Sequence, residues 1–224
     1  AAAFCSWRAK DFGIKKDDFL DMLLWGLPIG IICARIYYVI FYLSLYRDAQ
    51  GNFQWGEAIA IWDGGLAIYG GVIGGILTCL VVCKCKKLPF LAMADLSVMG
   101  LFIGQIMGRW GNFVNQEAYG GACDLPWRMG LIVDGQLITV HPTFLYESLW
   151  NLIGLCLLVF VVRRVRRFDG ELFLCYLGWY GLGRFWIEGL RTDSLYLFGT
   201  GIRVSQLVAL VSVLAAVVLL VRML

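Results

Sequence analysis

The ten residues Gly108, Arg109, Trp110, Gly111, Asn112, Phe113, Val114, Asn115, Gln116 and Glu117 gather a guanidinium, the Asn112 and Asn115 carboxamides and the Glu117 carboxylate beside glycines that let a ligand approach the backbone. A planar guanidinium matches a phosphate through paired N–H donors, and at a membrane surface the phosphate at hand is a lipid headgroup. The plainer alternative is a polar cap in which Arg109 reaches toward water. A second group, Tyr180, Arg184, Glu188 and Arg191, is spaced by four, four and three residues, which lines it along one helical face. It reads as a structural Arg184–Glu188 ion pair or as a second phosphate ligand steered by Glu188, and the two are compatible.

Two further groups carry polar chemistry inside apolar sequence. In His141-Pro142-Thr143-Phe144-Leu145-Tyr146-Glu147 the proline suits a first helical turn and Glu147 lies one turn deeper. His141 fits either a hydrogen-bonded interfacial residue or a base. A carboxylate in hydrocarbon must take up a proton or find a cation, and for Glu147 the two cations at hand are Arg109 and Arg184. In Trp62-Asp63-Gly64-Gly65-Leu66-Ala67-Ile68-Tyr69-Gly70-Gly71, with Gly74-Gly75 following, the glycine density points to close helix packing. It also leaves room beside Tyr69, whose hydroxyl is then expected in the bundle interior with a polar partner.

The elements that must hold these groups follow from composition. Of 224 residues, 60% are apolar and only 16% charged, which excludes a soluble globular domain and a disordered chain. The net charge of +3 gives no dense basic face, so no nucleic-acid partner is expected. With one histidine and eight cysteines, most of them in apolar runs, the chain offers neither a disulfide framework nor a zinc site, and no metal or cofactor is expected. Six stretches have the length and apolarity of membrane crossings: 22–42, 64–82, 88–107, 143–162, 172–190 and 204–221. The expectation is an all-α integral membrane protein, a polytopic helix bundle with residues 1–224 forming a single transmembrane catalytic domain.

Lysine and arginine set its orientation, because short translocated loops are depleted in them. Six crossings place Arg8, Lys10, Lys15 and Lys16, then Lys84, Lys86 and Lys87, then Arg163, Arg164, Arg166 and Arg167, and finally Arg222 on one side, the cytoplasmic one. Residues 108–142 then form a small extracytoplasmic head. Within it 129–133 and 136–140 flank Asp134-Gly135, a two-residue hairpin signal. The start, Ala-Ala-Ala-Phe-Cys, reads as a cut or processed end, or as the tail of an earlier helix that would make the parent a seven-span protein.

These segments resemble the bacterial prolipoprotein diacylglyceryl transferase family. Four blocks carry the resemblance: residues 34–42, Gly-Arg-x-Gly-Asn-Phe-x-Asn-x-Glu at 108–117, His-Pro-Thr-x-Leu-Tyr-Glu at 141–147, and Gly-x-x-Arg-Phe-x-x-Glu-x-x-Arg at 181–191. The resemblance implies a seven-helix bundle with a small head, lying in the bacterial cytoplasmic membrane with its active site toward the extracytoplasmic side. It implies transfer of the diacylglyceryl group of phosphatidylglycerol to the lipobox cysteine thiol of a preprolipoprotein signal peptide, forming a thioether and releasing glycerol phosphate. By that motif Arg109 and Arg184 are the headgroup arginines. Asn112, Asn115 and Glu117 are the polar part of the signature, with Tyr180, Glu188 and Arg191 as its partner block and Tyr38 and Tyr42 as substrate-binding aromatics. One departure is Tyr69, which stands where well-known members have a histidine proposed as base.

The chemistry fits this inventory. A free thiol titrates near 8.5, so its activation is a modest demand, whereas the departing phosphate gains negative charge and needs electrostatic stabilisation. Arg109 and Arg184 are therefore expected to carry catalysis, with Tyr69 as hydrogen-bond donor or proton relay and Glu147 and His141 as the remaining bases. The rival reading is a small-anion transporter or channel lined by Arg35, Glu147, Arg184 and Glu188.

Overall fold

The structure is a computed structural model describing residues 1–48, 50–133, 135–192, 196, 201 and 203–223. Its helices are α1 (Ala2–Arg8), α2 (Lys16–Phe41), α3 (Trp55–Ile59), α4 (Ile68–Lys86), α5 (Phe90–Val114), α6 (Thr143–Leu157), α7 (Arg163–Val165), α8 (Glu171–Leu190) and α9 (Val204–Met223); strands β1 (Met129–Val133) and β2 (Gln136–Val140) pair antiparallel. Five helices are long and apolar enough to cross a membrane: α2, α4, α5, α9 and the continuous helix Thr143–Val165 that joins α6 to α7 through a π-helical turn. The chain is a multi-pass membrane protein. The remaining expected stretch also forms a helix, α8, but Glu171, Arg184 and Glu188 make it less apolar than the other five. The chain divides into two compact units, Ala2–Ala94 and Asp95–Leu224.

In the first unit α2 and α4 pack closely because α4 offers no side chain at the contact. A Cβ on Gly70 would collide with the Cys33 carbonyl and Tyr37, and one on Gly74 would stand 2.8 Å from the Cys33 Cβ. This is the small-residue packing that lets membrane helices approach where the hydrophobic effect gives no help. Lys86 at the end of α4 pairs with Asp18 at 2.7 Å and with Asp21 near the start of α2, so the two helices run antiparallel.

In the second unit α8 is held from three sides. Asp95, fully buried, accepts the backbone N–H groups of Gly170 and Phe173, each at 2.8 Å, and pairs with Arg166 at 3.4 Å, satisfying donors at the α8 N-terminus. Trp150 on α6 and Trp179 on α8 stack with centroids 4.5 Å apart, and each indole N–H donates to the other's carbonyl at 2.9 Å. Gly181 and Gly183 leave room for Val213 of α9 and for the Trp150 ring.

The hairpin matches the expected boundaries, with Met129 opposite Val140 and Val133 opposite Gln136, and Gly135 at φ +76° closes the turn; Asp134 lies outside the described residues. Met129, Leu131 and Val140 are buried under Tyr119, Ile138 and Phe144. The preceding chain extends this arrangement: Ala122 bridges to Val140, and Gly120 bridges to Arg191 just beyond α8.

Candidate active site

The signature begins inside a helix, not in a loop. α5 runs seven residues past the apolar stretch that ends at 107, so Arg109 sits on helix, one turn beyond Gln105. The chain then reverses sharply. Gln116 and Ala118 both take positive φ, a conformation uncommon for residues with a side chain, and the Glu117 N–H donates to the Asn112 carbonyl at 3.0 Å. That reversal folds the Glu117 carboxylate back onto both carboxamides, with Asn112 and Asn115 donating to its Oε1 at 3.1 and 3.2 Å.

Helices α5, α6 and α8 bring the charges together. The Arg109 Nη2 lies 2.6 Å from Glu147 Oε1, and the Arg184 Nη1 lies 3.4 Å from Glu147 Oε2. Arg184 also reaches Glu188 at 2.6 Å, one turn further along α8. Glu147 and Glu188 are only 3% and 2% exposed, while both guanidiniums keep part of their surface open. One carboxylate thus bridges two arginines from separate helices, one oxygen each, which answers the need for a cation that Glu147 carries in apolar surroundings. Arg109 further donates to Asn112 Oδ1 at 3.4 Å and stands near the Tyr180 hydroxyl. Arg203, at the start of α9, donates to the Glu188 carbonyl.

The remaining expected residues fall in three places. His141 meets the Tyr146 hydroxyl at 3.3 Å, which also accepts the Trp127 indole N–H at 2.9 Å, so its ring belongs to the head rather than to the arginine–carboxylate cluster. Arg191 is set by the Gly120 bridge at the end of α8. Tyr38, Tyr42 and Tyr69 belong to the first unit: Tyr38 and Tyr42 stack at 4.6 Å, and Tyr69 begins α4 beside Tyr37 with centroids 6.3 Å apart. Tyr69 is 40% exposed, so its side chain is not enclosed as the glycine-rich surroundings suggested; the glycines are spent on the α2–α4 contact.

No spacing of residue types signals the polar row beneath the cluster. Gln105 Nε2 donates to the Tyr176 hydroxyl at 2.8 Å, and the Tyr176 ring lies parallel to Tyr180 at 5.7 Å, fixing the phenol near Arg109. A glutamine and a tyrosine inside apolar runs are unremarkable until two helices, α5 and α8, bring them to one level. Metal-binding groups of three or more His, Cys, Asp or Glu are absent among the described residues.

Comparison with known proteins identifies the family. A profile of the family described as prolipoprotein diacylglyceryl transferase matches residues 1–222. The chain is 46% identical over 211 residues to the phosphatidylglycerol–prolipoprotein diacylglyceryl transferase of Lysinibacillus sphaericus, covering 90% of this chain and 75% of that one. It is 48% identical over 218 residues to the protein of the same name from Lactobacillus delbrueckii subsp. bulgaricus, covering 92% and 76%, and 47% identical over 211 residues to that of Finegoldia magna, covering 94% and 81%. With two arginines from different helices sharing one buried carboxylate, and with this breadth of similarity, the chain belongs to the prolipoprotein diacylglyceryl transferase family.

Proposed function

We propose that this chain transfers the diacylglyceryl group of phosphatidylglycerol to the lipobox cysteine thiol of a preprolipoprotein. The observation that carries the reading is the convergence of Arg109 and Arg184 on Glu147. A headgroup phosphate brought to this place meets guanidinium N–H groups from two directions, already oriented by carboxylates behind them. In the reaction the thiol sulfur attacks the glycerol carbon that bears the phosphate, and an S–C bond forms as the C–O bond breaks. The electron pair goes to the phosphate oxygen, the thiol proton is passed to a base, and glycerol phosphate leaves. The arginines stabilise the charge that develops on the leaving oxygen, a contribution of about 3–4 kcal/mol per donor.

Glu147 and Glu188 hold the arginines in register, and Asn112, Asn115 and Glu117 form the polar turn that steadies the Arg109 end. Tyr180 stands near the Arg109 fork. Tyr69, His141 and Glu147 are the candidates for proton transfer, and Tyr38, Tyr42 and Arg191 for substrate contact. The distribution of basic residues supports a reading in which the 108–142 head, and with it the Arg109 end of the unit, faces the extracytoplasmic side, α8 is a sixth crossing and residues 1–224 act as one catalytic domain. The test is phosphatidylglycerol labelled in its glycerol backbone, incubated with the protein in vesicles and a lipobox peptide. Label appearing on the cysteine supports the enzyme; anion flux without label transfer refutes it in favour of a transporter.

A further inference from the structure

Arg35, near the end of α2, is a buried cation whose hydrogen-bond partners in the structure are backbone carbonyls. Its Nε donates to Ala58 at 2.9 Å, its Nη2 to Glu57 at 2.6 Å and Ala60 at 3.1 Å, and its Nη1 to Gly64 at 2.5 Å and Gly65 at 2.9 Å. Five carbonyls from the nine residues 57–65 therefore converge on the five N–H donors of one guanidinium, whose carbon lies 5.3 Å from the Tyr46 ring centre. Gly65 takes φ +71°, and a Cβ there would collide with the Arg35 Nη1, so the sequence leaves this approach open.

The segment so gathered connects two helices that cross the membrane, and large apolar side chains stand out from it, with Glu57 and Asp63 exposed among them. Trp55 and Trp62 are 72% and 78% exposed, and Ile59 and Ile68 are exposed with them. The exposed face of α2, Ile32, Ile36 and Ile40, leads into the same end of the unit. Irregular backbone at a lipid boundary needs its carbonyls satisfied from within, and tryptophans gather where hydrocarbon gives way to headgroups. Arg35 supplies that satisfaction from the protein side for five of the segment's carbonyls.

We propose that Arg35 is a positioning residue that holds residues 55–68 as a shelf against the acyl chains and headgroups of the leaflet at the Phe41 end of α2, and that this shelf governs capture of the lipid substrate. The kinetic part rests on the transferase reading above; the membrane contact does not. Lysine cannot replace Arg35, because one ammonium offers three donors from a single point where five diverging ones are used.

Two measurements test it on the full chain in vesicles. In the first, phosphatidylglycerol brominated on its acyl chains quenches tryptophan fluorescence, and the share due to Trp62 is obtained by difference from Trp62→Phe. Arg35→Gln is expected to halve that share at least; undiminished quenching overturns the proposal whether or not the protein turns over. In the second, Arg35→Gln is expected to raise the KM for phosphatidylglycerol about tenfold, a loss of about 1.4 kcal/mol in capture, with kcat kept within about threefold. A fall in kcat at unchanged KM overturns it. If Arg35→Gln does not fold, Trp55→Ala with Trp62→Ala, leaving Arg35 intact, is expected to give the same rise in KM, and an unchanged KM overturns the shelf. Absence of label transfer by the unaltered chain refutes the transferase reading alone, since the quenching result stands apart from it.

Discussion

Arg109→Lys keeps the charge and removes the fork. Arg109 pairs with Glu147 at 2.6 Å, donates to Asn112 at 3.4 Å and stands near the Tyr180 hydroxyl. A lysine ammonium can follow the first of these and keep Glu147 compensated, so folding is expected to survive with a cost of about 1 kcal/mol or less. It cannot span to Asn112 and Tyr180 together, nor present paired N–H groups to a phosphate. Loss of one preorganised donor to a developing oxyanion costs about 2.7–4 kcal/mol, so the transfer rate should fall by about 10²–10³. The assay is label transfer from phosphatidylglycerol to a lipobox peptide at saturating lipid, with thermal unfolding in detergent measured on the same preparation. A rate within about threefold of the parent, at an unchanged unfolding temperature, refutes the assignment of Arg109 as the phosphate ligand.

Tyr69→Phe removes only a hydroxyl from a 40% exposed ring and is expected to slow transfer by more than about tenfold, near the worth of one well-placed hydrogen bond; an unchanged rate in the same assay relegates Tyr69 to packing. Gly70→Ala drives a methyl into the Cys33 carbonyl and the Ala34 backbone, which should cost about 1–3 kcal/mol and lower the unfolding temperature in detergent. Trp179→Phe keeps the stacked ring but deletes the donor to the Trp150 carbonyl, an expected loss of about 1 kcal/mol read by the same melt.

The parts legible in the sequence are those that side-chain chemistry must advertise. Glu147 in an apolar run demanded a cation, and Arg109 and Arg184 were the two available; both pair with it. The Asp134-Gly135 signal set the strand boundaries at 129–133 and 136–140. The helix end was harder to read, because hydropathy marks where apolar residues stop, whereas α5 continues through polar Arg109 and Asn112 until the positive-φ turn at Gln116. The role of Arg35 left no trace in the pattern, since its partners are backbone carbonyls of an irregular segment and every residue has one. Likewise the Trp150–Trp179 reciprocity depends on two helices meeting at one height, which no local spacing encodes.

The clasp at Asp95 has a consequence for biosynthesis. Its carboxylate accepts from Gly170, 75 residues later in the chain, and from Phe173, 78 residues later. At about 5–20 residues per second, a ribosome finishes α5 roughly 3–12 s before those amides exist. During that interval a helix bound for the bilayer carries an acid whose amide donors have not yet been made. Release of α5 into lipid is therefore coupled to synthesis of the Arg166–Phe173 stretch, and a stall in translation between the two leaves the nascent protein with a hydrophobic helix that cannot be set down cheaply.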